Sequence, residues 1–395
     1  MNGKTSSPLA LPPPSRVAVL VDTASTWGRG IITGIHNYSR KQRGWQMFIE
    51  SRGVEETLLV PRGWHGEGII ARIGTPEMAR RLRLQKLPVV NVSGILLPGV
   101  EFPRVTNDVG EVARMAVQYF WDRGYKNFAY LSLRGLEYVV RQRDAFVSAT
   151  AAAGFDCAVH GIRTNSGCCQ APDWNLKLDK LGRWLKSLPK PVGILTWSGG
   201  REVIHACEHV GLRVPEEVAI LSGSEDELLC QCSPIPISGV EAACEQIGYE
   251  AAALLDRLMR GKPAPKSPRV IPPLRVITRQ STDTTAISDR ALIAALGFIR
   301  ENAAQPLLVD EVAAHAGISR RVLERRFQKT LRRSPAEQIA QERLAHVKAI
   351  LVETDLPIHD VAKRCGFGSP EYMTYVFRTE LGTTPLRYRR DSRGR

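Results

Sequence analysis

The 395-residue sequence has no uninterrupted apolar run near the roughly 18 residues that a membrane-spanning helix needs, so no such helix is expected and a soluble protein is. Its opening stretch, 1–15, lacks the apolar core of a secretory signal; it is polar and proline-rich, and disorder is expected there. The eight cysteines are then expected as free thiols in a reducing cytoplasm. Zinc-type spacing is missing as well. Cys168-Cys169 and Cys230-x-Cys232 are not C-x2-C pairs, and His205-x-Cys207-x-His209 puts its side chains on different faces of a helix. There is no Gly-x-Ser-x-Gly nucleophile elbow, and His36, His65 and His160 have no readable partner, so neither an enzyme nor a cofactor is expected. Negative charge is scarce: 54 Lys and Arg stand against 40 Asp and Glu, and the net charge of +14 favours a polyanionic partner.

What is present is ordinary globular composition, 43% apolar and 24% charged, with room for two to three domains. Up to about residue 277, short apolar runs at 17–21, 68–71, 88–92, 128–131, 192–195 and 218–221 alternate with amphipathic stretches at 29–43, 109–123, 139–153, 174–187, 201–210 and 243–260. Near-continuous apolar strands between helices predict parallel sheets covered on both faces. The pattern restarts at 105–108, which predicts an α/β fold of two doubly wound lobes over 16–280, with a ligand between them at the carboxyl ends of the strands. A linker follows at 281–287. From 288 to 390 no strand run appears, and an all-α domain is expected. Residues 286–395 carry a net charge of +6, against +8 for the 285 residues before them, so the helical part is about twice as positive per residue.

That helical part contains a repeat. One copy has Val312-Ala313, Gly317, Phe327, Leu331 and Ser334-Pro335; the other has Val361-Ala362, Gly366, Phe377, Leu381 and Thr384-Pro385. Each reads as helix, tight turn, helix: the alanine permits close approach, the glycine supplies positive φ, and Ser319 or Ser369-Pro370 starts the second helix. In a helix-turn-helix the second helix enters the major groove amino end first. The outward residues are then Ser319, Arg320, Arg321, Glu324 and Arg325 in the first copy, with Leu323 and Phe327 turned inward. In the second they are Ser369, Glu371, Tyr372 and Thr374 or Tyr375, with Arg378 near phosphate. Arginine is the usual bidentate reader of guanine, so the first copy is expected to supply more affinity. Between the copies, 335–354 forms a helix of about 30 Å with an apolar stripe of Ile339, Leu344, Val347 and Leu351. Successive major grooves lie about 34 Å apart, so one rigid helix can hold both motifs on one face of a double-stranded DNA. The bland alternative, an ordinary helical hairpin, has to occur twice with matched spacing.

The residues 313–335, Glu342-Arg343-Leu344, Val361-Ala362, Cys365-Gly366-Phe367, Pro385 and Tyr388-Arg389 resemble the AraC/XylS-type DNA-binding domain. The front portion is similar to the LacI/GalR and periplasmic sugar-binding fold, through Cys207-Glu208-His209, Val214-Pro215-Glu216, Gly248-Tyr249, Ala251-Ala252, Pro272-Pro273 and Arg275-Val276-Ile277. The resemblance implies a homodimeric, sugar-responsive transcription activator that works with RNA polymerase. It also implies an effector site to which Asp108 contributes. Where this family has Thr-Asp, the chain has Thr196-Trp197; where a Gly-x-Asp is usual it ends in Ser224; and the sugar-binding arginine falls on Gln142, flanked by Arg141 and Arg143. These departures argue against the family's usual pentose. Trp197 either stacks on a sugar face or fills the cleft.

Two other readings compete. Gly28, Gly30 and Gly34 after the first strand, with Glu50 further on, echo the fingerprint of a nucleotide-dependent oxidoreductase. The third glycine is one residue late and the turn is too loose; Asp22, Trp27 or Arg29 in a sugar cleft fits better. A sugar-binding protein without a transcriptional role leaves the helical tail unexplained.

Overall fold

The computed structural model describes residues 14–393 apart from 43, 52–58, 62, 135–136, 164–173, 198, 225, 284–288 and 332. The expected disordered start (1–15), most of the expected linker (281–287) and the Cys168-Cys169 pair therefore fall largely or wholly outside the described residues. The chain forms two compact units, Met1–Thr106 with Cys244–Arg269, and Asn107–Ala243 with Val270–Arg395.

The first stretch runs β1 (Ser15–Leu20), α1 (Thr26–Lys41), β2 (Trp45–Ile49), β3 (Gly68–Ala71), α2 (Pro76–Leu84), β4 (Val89–Asn91) and β5 (Val105–Asn107). Then come α3 (Val109–Trp121), β6 (Asn127–Arg134), α4 (Glu137–Ala152), β7 (Cys157–Arg163), α5 (Trp174–Ser187), β8 (Val192–Thr196), α6 (Gly200–Val210), β9 (Val218–Ser222), α7 (Glu227–Gln231) and β10 (Ser238–Glu241). The chain returns to the first unit with α8 (Cys244–Met259) and leaves it through β11 (Arg269–Ile271) and β12 (Arg275–Ile277), followed by a 3-10 turn at Gln280–Thr282.

In the first unit four parallel strands lie in the order β2-β1-β3-β4. The run Val17 to Leu20 is sealed from solvent, as an unbroken apolar strand must be when both faces are covered. Helix α1 starts where the Ser25 hydroxyl accepts the Gly28 N–H at 3.0 Å. It then lies directly against α8, and here its glycines matter. A Cβ on Gly34 would stand 1.9 Å from the Glu245 carbonyl oxygen, one on Gly30 would stand 2.6 Å from the Cys244 Cβ, and one on Gly248 of α8 would stand 2.0 Å from the Ile31 carbonyl oxygen. Gly30 and Gly34 thus let two helix backbones touch, which accounts for their spacing without a nucleotide.

The second unit has a six-stranded sheet, β12-β10-β9-β8-β6-β7, parallel except for β12 against β10. Leu178, Leu181 and Leu185 of α5 with Val203 and Ile204 of α6 cover one face. Ala116 and Phe120 of α3 with Val139 and Phe146 of α4 cover the other. After β12 the same unit carries, among the described residues, seven further helices: α9 (Arg290–Asn302), α10 (Val309–His315), α11 (Arg320–Leu331), α12 (Pro335–Glu353), α13 (Ile358–Arg364), α14 (Pro370–Leu381) and α15 (Pro385–Arg393). They enclose two separate cores. Leu292, Leu296, Ile299, Val312, Leu323 and Phe327 build the first, and Val361, Met373 and Phe377 build the second. The apolar stripe of α12 is divided between them: Ile339 packs in the first core, and Leu344, Val347 and Leu351 pack in the second. The α/β lobes followed by an all-α domain are the fold class expected from the sequence.

Candidate functional site

Each half of the helical domain is a helix, a turn and a second helix. Gly317 and Gly366 make the turns at φ +67° and +73°, in the left-handed region that disfavours any side chain. At Gly366 a Cβ would also meet the Ala303 carbonyl oxygen at 2.6 Å. The inward residues Leu323, Phe327 and Phe377 are fully buried, which fixes the rotation of α11 and α14 about their axes and so fixes what faces outward.

On α11 the outward set is Ser319, Arg320, Arg321, Glu324 and Arg325, all exposed. They are not equivalent. Arg320 donates to Glu324 at 2.9 Å and to Asp310 at 3.2 Å, so its charge is already answered within the protein. Arg326 is held at 2.5 Å by Asp289, the residue that caps α9. Arg321 and Arg325 make no ion pair among the described residues and stand free to meet an anion or a base edge. On α14 the Ser369 hydroxyl accepts the Tyr372 N–H at 3.1 Å and caps the helix. Glu371, Tyr372, Tyr375 and Arg378 are exposed, Tyr375 at 68%, while Thr374 is half-buried. A tyrosine that exposed on a helix with a well-formed core has a face free for stacking or for methyl contact.

The leading ends of the two helices open on one side of α12. Arg320 from the first half and Tyr372 from the second line a single cavity of about 250 Å³, with Ile339, Ala340 and Arg343 of α12 between them. Arg343, whose individual role the sequence did not suggest, ties the halves together. It donates from Nε to the Ala303 carbonyl at 2.9 Å and from Nη2 to the Gln305 carbonyl at 3.0 Å, and its guanidinium sits 5.8 Å from the centre of the Phe367 ring. Burial pulls its pKa down, as expected for a cation moved out of water.

The expected effector residues are distributed over the two units. In the first, Asp22 is buried and its Oδ1 accepts the Ser25 N–H at 3.0 Å and the Ser25 hydroxyl at 2.6 Å, holding the turn into α1. Trp27 is half-buried with the Arg72 guanidinium 5.8 Å from its ring centre, and Arg29 donates to the Thr23 and Ala24 carbonyls. In the second, Asp108 caps α3 by accepting the Glu111 N–H at 3.0 Å. Arg141 and Arg143 are half-buried, and Arg143 pairs with Asp144 at 2.7 Å. Gln142 between them is wholly buried: its Oε1 accepts the Tyr130 hydroxyl at 3.0 Å and its Nε2 donates to the Gly223 carbonyl at 3.4 Å. The amide acts as an internal brace. Trp197 packs half-buried against the core beneath α3 and α4, and its carbonyl, like that of Ser224, accepts the Ser222 hydroxyl. Asp108, Trp197 and Ser224 all follow the carboxyl ends of strands, β5, β8 and β9.

Among the described residues no helix is long and apolar enough to cross a membrane, and no group of three or more His, Cys, Asp or Glu side chains is arranged to hold a metal.

Three family models match the chain: a XylR N-terminal domain over 16–110, a periplasmic binding protein-like domain over 117–282 and a helix-turn-helix domain over 312–391. The xylose operon regulatory protein of Haemophilus influenzae is 29% identical over 384 residues, covering 95% of this chain and 98% of that protein. Its namesake in Escherichia coli K12 is 29% identical over 385 residues, covering 95% and 96%. A solved structure described as a xylose-binding transcription activator has a TM-score of 0.60 and 28% identity, and the match covers 95% of this chain and 98% of that one.

Proposed function

Because the chain belongs to the AraC-type transcription regulators that carry a periplasmic-binding-protein-like sensor domain, we propose that it is a sequence-specific activator of carbohydrate-utilisation genes. In this reading α11 and α14 enter consecutive major grooves of one duplex. Arg321 and Arg325 read guanine edges and neighbouring phosphates, Tyr372 and Tyr375 read through stacking and methyl contacts, and Arg378 meets phosphate. Ser319, Arg320, Glu324, Ser369 and Glu371 frame these contacts. The observation that carries the proposal is the pair of recognition helices whose leading ends open on one side of α12. With 19 residues, α12 is about 29 Å long, close to the groove repeat of about 34 Å.

The sensor domain binds a sugar-like effector through Asp22, Trp27, Asp108, Arg141, Arg143, Trp197 and Ser224. Two copies of the chain act as a cytoplasmic homodimer, and the effector shifts the population of dimers whose DNA-binding halves match an operator where RNA polymerase is recruited. Such a shift is limited to the effector's differential affinity for the two arrangements. With Gln142 satisfied inside the protein, the effector is not held there by a forked arginine, so a sugar other than the relatives' xylose is expected.

The test is fluorescence anisotropy with duplexes selected by the full chain from a random-sequence pool. Affinity for the selected duplex should exceed that for the pool and fall linearly with salt on logarithmic axes, as counterion release requires. Equal affinity for every duplex overturns the proposal. A thermal-shift screen of pentoses, hexoses and sugar acids tests the effector half, since binding to the folded state alone raises stability by RT ln(1 + [L]/Kd).

A further inference from the structure

Helix α3 belongs to the sensor lobe, and α12 is the spacer that holds both recognition helices. The two are joined. Asp122, the residue that follows α3, forms an ion pair with Arg333 in the turn between α11 and α12; Arg333 also binds the Gln341 amide oxygen, and Gln118 donates to Asp122 at 2.5 Å. Arg333 is 8% exposed and the Asp122 side chain 21%, so the pair is largely withdrawn from water. Beside it Arg123 is 7% exposed, with its guanidinium 3.5 Å from the centre of the Tyr119 ring and donating to the Tyr119 carbonyl and to Thr278. Glu342 of α12 and Arg300 of α9 lie within electrostatic reach of Arg123. At the other end of α3, Glu111 acts on Lys348 of α12, which also feels Glu380 of α14. Charged groups of α12 thus lie within electrostatic reach of both ends of α3.

We infer that this seam, held shut by Asp122 and Arg333, is the mechanical link through which the sensor lobe and the DNA-binding half sense one another. Asp108, the cap of α3, stands at one end of the link, and the base of the first recognition motif stands at the other. At 13 residues, α3 is a rod of about 20 Å. The seam is built to give way as well as to hold. Among the described residues the Nε atoms of Arg123 and Arg333 and the Oε1 of Gln338 are buried without a hydrogen-bond partner, and a partly satisfied polar network is less secure than an apolar one. Asp122 and Arg333 act as positioning residues and touch neither DNA nor effector. The proposal rests on the DNA-binding reading above and adds the route of coupling.

The test uses the full chain and four variants: Asp122→Ala, Arg333→Ala, the double alanine, and the reciprocal swap Asp122→Arg with Arg333→Asp. The first measurement is amide hydrogen exchange without DNA. Either single variant should speed exchange in 335–348 and 115–123 by about tenfold or more, because a buried charge is left unanswered. The double alanine should be milder than the sum of the singles, and the swap should recover much of the protection. Exchange unchanged in the singles overturns the seam whether or not the protein binds DNA.

The second measurement adds the selected duplex. Linkage is reciprocal, so duplex binding must alter exchange in α3 of the parent, and the single variants should lose that response while their duplex affinity changes by less than about threefold. A response that survives in both singles refutes the coupling. A parent that binds no selected duplex overturns the DNA-binding reading, and the duplex-free comparison still decides the seam.

Discussion

Replacing Gly34 with alanine sets two physical effects of opposite sign against each other. In an isolated helix the change gains about 1 kcal/mol, because alanine loses less backbone entropy than glycine. At this position the added carbon falls 1.9 Å from the Glu245 carbonyl oxygen and within 2.8 Å of the Tyr249 nitrogen, both backbone atoms of α8. An ordinary contact begins near 3.4 Å, so α1 and α8 must part by about 1.5 Å along a seam that also contains Gly30 and Gly248. Forcing a close-packed interface apart typically costs 1–3 kcal/mol, and no flexible side chain is available here to move aside. The expected outcome of Gly34→Ala is a net loss of about 1 kcal/mol and at most about 2, confined to the first unit. Gly297 of α9 provides the internal control: a Cβ there meets nothing within 4 Å, so Gly297→Ala should stabilise the helical domain by about 1 kcal/mol. Urea titration read by segment-resolved hydrogen exchange assigns each change to its unit, which a single global transition in a multi-domain chain does not. If Gly34→Ala stabilises as much as Gly297→Ala, the helix-packing account of the glycine run is wrong.

Arg321→Ala should weaken binding to the selected duplex by about 1–3 kcal/mol and relax one base preference, as loss of a bidentate contact predicts, whereas Arg320→Ala should cost less because its guanidinium is already committed to Asp310 and Glu324; anisotropy across single-base variants of the site separates the two. Phe377→Ala removes a fully buried ring and should cost the second half of the domain about 3–5 kcal/mol while leaving exchange in α10 and α11 unchanged, since the two cores are separate; equal loosening of both halves contradicts that separation. Burial pushes the Cys365 thiol from the ordinary 9.0 up to about 11. Below pH 9 it is protonated in both folded and unfolded chains; between pH 9 and 11 the unfolded chain ionises first, so stability should fall by up to about 2–3 kcal/mol as pH rises through that window. A Cys365→Ala variant whose stability drops equally over the window rules the thiol out as the cause. Cys207, pushed up to about 12 and buried, should resist thiol reagents at pH 8 until denaturant is added, as mass-spectrometric mapping of the modified cysteines reads directly.

The recognition motifs were legible because their determinants are local: a glycine with positive φ, a phenylalanine ten or eleven residues later, and a proline at fixed distance all report on one turn and one helix. The central strands were legible for a similar reason, since burial on both faces leaves an unbroken apolar run. Two edge strands were not. β2 and β7 each show a face to solvent, with Val159 of β7 44% exposed, and their mixed composition resembles loop. The glycines of α1 could be seen but not interpreted, because the backbone they admit belongs to α8, more than 200 residues away in the chain. Asp122 and Arg333 gave no signal at all, because charged residues beside helix ends are common and nothing local marks two of them as partners. Gln142 was singled out as a departure from the family, and only its bonds to Tyr130 and the Gly223 carbonyl explain what the amide does instead.

The return of α8 to the first unit has a consequence for how the protein is made. On the ribosome, α1 emerges with its glycine-notched side bare, and the helix that fits it is not synthesised until the five parallel strands of the second sheet have passed. At about 5–20 residues per second that interval is on the order of 10–40 s. For all of it β1 to β4 wait half-clothed, while the parallel strands of the second sheet are free to pair first. Nascent chains halted before residue 244 should therefore need a chaperone to shelter their leading end, whereas chains released past residue 260 should not.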